Sequence, residues 1–377
     1  MKYLICLILL ITSVQISQGN DSVVVKKKTY KRFFNKYPLQ RSNGRYTTSI
    51  LPLLSYDPSS GIEVGVIPVF SIAPSDSLSK TFYRSSNIVS TFIYSSKRWI
   101  NVKVEATLYG KRGVKHSLLA QYVNAPLRFY GIGQTSIGKY YSNYKSSDFS
   151  FGYSYTYPLN LVQNVGLITD IGYVSINDVE ETVLHQDVTG YNGGWYIGLG
   201  PQYQFDTRDN VNYPTKGHFI QSSFVYYVPK VFKSYSFYHF KVDYRGFKTL
   251  FSFVQVAIHL QSTINKGDVP FYKMSALGSR SVMRGVSSKN YYIDNNLWFS
   301  EIELRKMVYR GIGMVVFSGI GNTYDSFDSS MFENIKSMYG AGLRIRLLKN
   351  EKLNIRLDYA IGPNQDSGIY ATVKESF

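Results

Sequence analysis

The feature that most limits what this chain can fold into is an alternation with a period of two, plain in its last ten residues. In Gly368-Ile369-Tyr370-Ala371-Thr372-Val373-Lys374-Glu375-Ser376-Phe377, the side chains of Ile369, Ala371, Val373 and Phe377 share one face. Tyr370, Thr372, Lys374 and Ser376 share the other, and only Glu375 interrupts the apolar side. One such strand also suits a soluble antiparallel sheet. The pattern recurs through most of the chain, however, and the chain stops on an aromatic residue. It reads as the closing strand of a transmembrane β-barrel with Phe377 on the outer, apolar face. A Phe377 packed in a dry protein interior would count against that reading.

From Thr48 onward the sequence alternates strand and turn. Thr48–Tyr56 and Ile62–Phe70 flank the turn Asp57-Pro58-Ser59-Ser60-Gly61. Later candidates include Val114–Asn124, Ser142–Tyr157, Leu297–Val308, Ile312–Ile320, Ser337–Leu347 and Leu353–Ile361, and about 16 are expected in all, an even number as a closed antiparallel barrel requires. Alternation is clearest late in the chain. Leu343, Ile345 and Leu347 alternate with Arg344 and Arg346, while Leu353, Ile355, Leu357 and Tyr359 alternate with Asn354, Arg356 and Asp358. Charges confined to one face need water or partners there, and each Arg or Lys facing the lipid midplane would cost about 2–4 kcal/mol. That face is assigned to the lumen. Short connections such as Lys111-Arg112-Gly113 interleave with long ones such as Ala125–Tyr141, Asp178–Gly193 and Asn265–Asn296. This fits periplasmic turns and outer loops, with both termini in the periplasm; the Ser71–Arg84 insert is long where a short turn is expected.

Composition supports a barrel over a helical bundle. Aromatics make up 16% of the 377 residues, with 34 Tyr, a residue that collects where a barrel wall meets headgroups. Past the N-terminus no apolar run approaches the roughly 18 residues of a membrane helix. Lys2, the apolar Leu4–Val14 and the small residues of Ser17-Gln18-Gly19 form an export signal. Cys6, the one cysteine, lies inside that signal, which excludes a disulfide framework in the mature chain. The expected organisation is a signal peptide over 1–19, a basic periplasmic segment over 20–47 and a barrel over 48–377. The formal net charge of +17 points to anionic lipid or glycan surfaces rather than nucleic acid once export is accepted, and much of it precedes the first strand.

No local pattern carries covalent chemistry. His116, His185, His218, His239 and His259 lack metal-ligand spacing, and there is neither a nucleophile elbow nor a phosphate loop. No catalytic residue, metal or cofactor is assigned, and the chain is not expected to be an enzyme. Two polar constellations remain. Asp206-Thr207-Arg208-Asp209-Asn210, with Gly217 behind it, joins two strands on the short-turn side, where a self-paired hairpin turn is the plain interpretation. The second is Leu277-Gly278-Ser279-Arg280-Ser281-Val282-Met283-Arg284-Gly285-Val286 in the longest loop. Arg284 between Met283 and Val286 is ill placed for a solvated tip. It suggests a loop folded inward, with the guanidinium held by a carboxylate. Glu301, Glu303 and Arg305 on the next strand share one face, which offers Glu303 as a latch partner for Arg284, with a solvated Arg284 as the alternative.

These pieces, in order, resemble the surface-antigen barrel of the BamA/TamA superfamily of outer-membrane insertases and secretion pores. Tyr56-Asp57-Pro58-Ser59-Ser60-Gly61, Phe129-Tyr130-Gly131-Ile132-Gly133 and Asp206-Thr207-Arg208-Asp209-Asn210 come first; Met283-Arg284-Gly285, Glu303-Leu304-Arg305, Gly340-Ala341-Gly342-Leu343-Arg344 and the terminal Phe377 follow. The resemblance covers about Thr48 to Phe377. It implies an all-β fold, a 16-stranded antiparallel transmembrane barrel whose sixth outer loop dips into the lumen. It also implies that the Arg-Gly motif, matched by Arg284 and Gly285, is held by wall carboxylates, one of them matched by Glu303. The second family carboxylate is replaced by Gly319, so one of the family's two wall partners is missing. The family's insertases carry periplasmic POTRA domains that receive clients by strand addition. The basic segment is too short for one, so the expectation is a POTRA-less member.

Function is expected to be outer-membrane protein assembly or export through a weak seam between the first strand, broken by Pro52, and the last, ending at Phe377. Expected partners are outer-membrane lipids, other assembly or secretion subunits supplying periplasmic domains, and client β-barrels, but not nucleic acid. The alternative is a non-inserting barrel, either a pore or a structural subunit of a larger outer-membrane complex; a lipid-modifying barrel enzyme is a third option.

Overall fold

A computed structural model describes residues 40–377 apart from 44, 74–84, 134–139, 230–234, 252, 287, 289–290, 310, 349–351 and 374. The expected export signal, most of the basic segment and most of the Ser71–Arg84 insert lie outside the described residues. Sixteen strands form the wall. They are β1 (Tyr46–Asp57), β2 (Gly61–Ile72), β3 (Ser86–Ser95), β4 (Ile100–Tyr109), β5 (Lys115–Phe129), β6 (Ser142–Pro158), β7 (Gln163–Asn177) and β8 (Gly194–Asp206). The second half comprises β9 (Gly217–Tyr227), β10 (Phe237–Leu250), β11 (Val254–Gly267), β12 (Asn296–Tyr309), β13 (Ile312–Tyr324), β14 (Lys336–Leu348), β15 (Leu353–Ile361) and β16 (Ser367–Val373). Each strand pairs antiparallel with its neighbour in sequence, and β16 returns to β1, closing an all-β, 16-stranded barrel.

The wall is inside out relative to a soluble domain. On β12, Ile302 and Leu304 are exposed while Glu301, Glu303 and Arg305 are buried. On β13, Met314, Val316 and Ile320 face outward and Val315 and Phe317 inward. On β14 and β15, Leu343, Ile345, Ile355, Leu357 and Tyr359 are exposed, whereas Arg344, Arg356 and Asp358 are buried. Only a solvent that prefers hydrocarbon to charge selects that arrangement.

Several strands run beyond the alternating stretches that mark them. β5 continues to Phe129 instead of stopping at Asn124, because Phe129 is covered by Phe271 and Leu184 from the loops above. β13 likewise reaches Tyr324. β16 falls short, ending at Val373. A short strand, Gln40–Asn43, precedes the wall and pairs with Tyr46–Ser49 of β1, inside the stretch read as a basic segment. Since β2 occupies the other edge of β1 along its whole length, this added strand lies on the edge that faces β16.

Candidate functional site

The connection from β11 to β12 does not stay outside the wall. A small hairpin, Ser275–Leu277 with Tyr292–Asp294, sends its tip into the lumen. Leu277, Met283 and Val286 pack there against Phe299, Val315, Phe317 and Tyr370 of the wall. The apolar neighbours of Arg284 thus belong to an interior cluster, and their burial carries the arginine in with them.

Arg284 is wholly buried and meets three carboxylates. Its Nη1 donates to Asp358 Oδ2 at 2.6 Å and its Nη2 to Glu303 Oε1 at 2.6 Å, with Glu301 Oε1 a further acceptor. The guanidinium carbon also lies 3.4 Å from the centroid of the Phe317 ring. Around this centre, Arg305 donates to Glu303 at 2.7 Å, and Arg344 joins Asp358 at 2.5 Å and Glu375 at 2.6 Å. Arg356 Nε lies 3.4 Å from Asp358. Four guanidinium groups therefore face four carboxylates in a space closed to water. Such a network tolerates the loss of no single member.

The structure brings Arg284, Gly285 and Glu303 together. Gly285 has φ +93°, and a Cβ there would stand 2.5 Å from the backbone nitrogen of Gly362, at the turn into β16. Its N–H donates to Tyr370 Oη at 2.9 Å, and that hydroxyl donates on to Val286 O at 3.2 Å. Glycine is needed because backbone lies on backbone. In place of the missing second family carboxylate, two others reach Arg284. Gly319 stands across the ladder from Glu301, and a Cβ on Gly319 would approach the Glu301 Cβ to 3.4 Å. The wall lacks a carboxylate at Gly319, but Glu301 beside it supplies one and Asp358 another.

Arg280, in the same loop, reaches the opposite side of the closure. Its Nε donates to Asp57 Oδ2 at 2.8 Å and its Nη2 to Glu63 Oε1 at 2.6 Å, on β1 and β2. Its carbonyl accepts from Arg356 Nη2 at 3.2 Å and from Ser376 Oγ at 3.0 Å. One loop thereby grips β1 and β2 through Arg280, and β15 and β16 through Arg284 and Gly285. It spans the seam from within.

The seam itself is short. Ala371↔Tyr56 is the one register pair between β16 and β1 among the described residues. Pro52 sits on β1 opposite Val66 of β2, between the part of the seam edge covered by Gln40–Asn43 and the pairing at Tyr56. It has no N–H to offer a neighbour.

Phe377 is a correction. It is not on the seam strand or on the lipid face; it is only 6% exposed, inside the barrel against Phe247 and Ala257 of β10 and β11. Its ring lies 4.8 Å from that of His259, and the Arg305 guanidinium is 5.0 Å away. The cause is Glu375. A strand continued past Val373 would put that carboxylate on the hydrocarbon side, whereas turning inward gives it Arg344 and, at 2.8 Å, the amide of Asn354. Phe377 follows it in. Because the wall already closes at Ala371, a buried terminus and a closed barrel coexist, and the supposed conflict disappears.

The turn motif is separate from this network. Arg208 donates to Asp206 at 2.9 and 3.0 Å, and stacks on Phe219. Asp209 accepts from the Thr215 amide at 2.8 Å, its hydroxyl at 2.6 Å and the Lys216 amide at 3.2 Å. Partial burial pushes the Asp209 carboxyl up, but these hydrogen bonds and Lys352 outweigh it and hold the group below its usual range. Gly217, at φ +103°, lets Thr207 O approach where a Cβ would stand 2.3 Å away. This is a self-paired hairpin turn.

Sequence patterns missed Arg280, Tyr370 and Gly362. Tyr370 and Asp358 carried a usable signal, since both fall on the polar face of their strands. Arg280 and Gly362 had none.

With this geometry in hand, comparison with known proteins is decisive. The Omp85 superfamily domain matches residues 97–375. The chain belongs to the Omp85 superfamily. No curated protein matches it by sequence. Among solved structures, BamA from Haemophilus ducreyi lacking POTRA domains 1–3 is similar at 12% identity and a TM-score of 0.62, covering 89% of this chain and 71% of that one. CdiB from Escherichia coli is similar at 11% identity and a TM-score of 0.57, over 88% of this chain and 63% of that one. CdiB from Acinetobacter baumannii is similar at 11% and 0.54, with 88% and 60% covered. The chain thus spans less than two thirds of each CdiB structure. At these identities the likeness is one of fold, and it agrees with the resemblance carried by the Arg-Gly and Glu-Leu-Arg motifs. The protein is an outer-membrane barrel of the Omp85 superfamily.

Proposed function

We propose that this Omp85 barrel takes part in outer-membrane protein assembly or export by opening between β1 and β16. The observation that carries the reading is the length of that junction. Every other neighbouring pair in the wall shares seven or more register positions, and this one shares a single position. Backbone groups along β1 then become a template on which a client strand pairs, and the wall needs no covalent chemistry to accept it. The expected partners are client β-barrel proteins, outer-membrane lipids and subunits that deliver clients from the periplasm.

Because so little of the seam is ladder, its closure rests on the loop. Arg280 holds one side and Arg284 with Gly285 the other, so opening the junction requires at least one grip to let go. The same bridging favours a second reading, a barrel that stays shut as a structural subunit. An open pore finds less support, since loop and tail both occupy the lumen.

Paired cysteines separate the two. Residues directly opposite in an antiparallel ladder are about 4.5–5.5 Å apart at Cα, within disulfide range. Tyr56→Cys with Ala371→Cys should cross-link in a background carrying Cys6→Ser, which removes the one native cysteine. Insertion of a radiolabelled client barrel into proteoliposomes should fall at least tenfold when oxidised and recover on reduction. Equal insertion in both redox states would refute an opening seam. No insertion in either state, with the wild type equally inactive, would leave the structural reading standing.

A further inference from the structure

At the end of the barrel opposite its C-terminus, a cleft of about 690 Å³ lies between the β1–β2 and β3–β4 turns and the tops of β5 to β7. Lys97, Arg98, Arg128 and Lys145 line it against one carboxylate, Asp178. Two of the cations are braced. Lys97 Nζ donates to Pro58 O at 2.5 Å, and Arg128 stacks 4.6 Å from the centroid of the Tyr141 ring. The side chains of Arg98 and Lys145 are exposed and meet no hydrogen-bonding or ionic partner among the described residues. The nearby Glu180 accepts from Nδ2 of the lining residue Asn143 at 2.6 Å.

Arg98 is out of place by backbone standards. Its N–H donates to Ser95 O at 3.0 Å, and the Ser95 N–H donates to Trp99 O at 3.0 Å, closing a tight hairpin loop. The residue before the second strand of such a loop adopts left-handed backbone and is ordinarily glycine. Here it is arginine at φ +64°. A long cationic side chain thus occupies a position where the turn alone would favour none, and it points into a cleft already rich in cations.

We propose that this cleft binds a phosphate-bearing group, with a sugar phosphate as the fitting chemical class. Arginine forks match phosphate oxygens, and lysines add point charge. The volume suits a small molecule larger than a bare anion. Tyr130 and Leu127 supply an apolar wall for a ring. The group can arrive free in solution or on a lipid headgroup.

The full mature barrel, purified in an uncharged detergent, is titrated with glucose 6-phosphate, inorganic pyrophosphate and glucose. It is then placed in phosphatidylcholine nanodiscs with and without phosphatidylglycerol. The deciding variant is Arg98→Gly, because glycine relieves the turn and its melting temperature should equal or exceed that of the wild type. Saturable binding of the phosphate compounds but not glucose is expected. It should weaken at least tenfold in Arg98→Gly and strengthen several-fold in Asp178→Asn. If the soluble probes bind in both nanodiscs alike, the source is a free sugar phosphate; probe binding that is weaker in phosphatidylglycerol discs than in phosphatidylcholine discs for the wild type, through competition, assigns a headgroup. Saturable binding that is absent throughout, or that is the same in Arg98→Gly as in the wild type, overturns the proposal.

Discussion

Deleting the Arg284 side chain would leave Glu301, Glu303 and Asp358 facing one another where no water reaches. Removing one partner of a buried ion pair typically costs about 3–5 kcal/mol, most of it the penalty of stranded charge. Arg284→Ala is therefore expected to lose stability of that order, measured by urea titration of the folded barrel in detergent. Arg284→Lys should fall between, since a point charge cannot serve three carboxylates in a fork. At this scale the sequence was partly legible. Arg284 announced itself by its apolar neighbours, and Glu303 by the face it shares with Glu301 and Arg305. Asp358 was read as a lumen residue, but its tie to Arg284 spans 74 positions, a separation that no local pattern encodes. What stands in for the carboxylate missing at Gly319 was hidden for the same reason. A carboxylate absent from one strand is replaced by one that sits beside the gap only after the strands are in register.

Strands and turns were more legible than the contacts they make. Alternation marked about sixteen strands because lipid on one side and charge on the other leave few alternatives for each position. It located their ends poorly. The tops of β5 and β13 are covered by loops, so their outward residues need not be greasy, and β16 stops where Glu375 is drawn to Arg344. Glu375 was visible as the break in the apolar face; what was not visible was that an arginine stood ready to accept it. The Asp206–Gly217 turn offers a test at this scale. Asp209 is depressed in the folded state, so its stabilisation is present above the unfolded carboxyl's ordinary value near 3.9 and is lost as pH falls below it. The melting temperature of Asp209→Asn should lie below that of the wild type at pH 7, and the two should converge as the pH drops through about 4 towards 3. A constant gap would assign the effect to shape rather than charge.

For the molecule as a whole, closure was legible and its fastening was not. An even strand count and alternating connections imply that first and last strands meet, and they do. That they meet over one register position, with Gln40–Asn43 on the same edge and a loop bridging from inside, depends on which distant side chains find each other. The interior network also bears on how the protein answers to its medium. Four arginines and four acids inside cancel, so the excess of 42 Lys and Arg over 25 Asp and Glu sits elsewhere, much of it at the ends and in the basic segment. At 1 M ionic strength the Debye length shrinks to about 3 Å, which silences exposed charges and barely touches buried ones. Concentrated potassium chloride should therefore leave the loop from Gly278 to Gly285 as protected from protease as in dilute buffer, while stripping anionic surfaces from the barrel's rim.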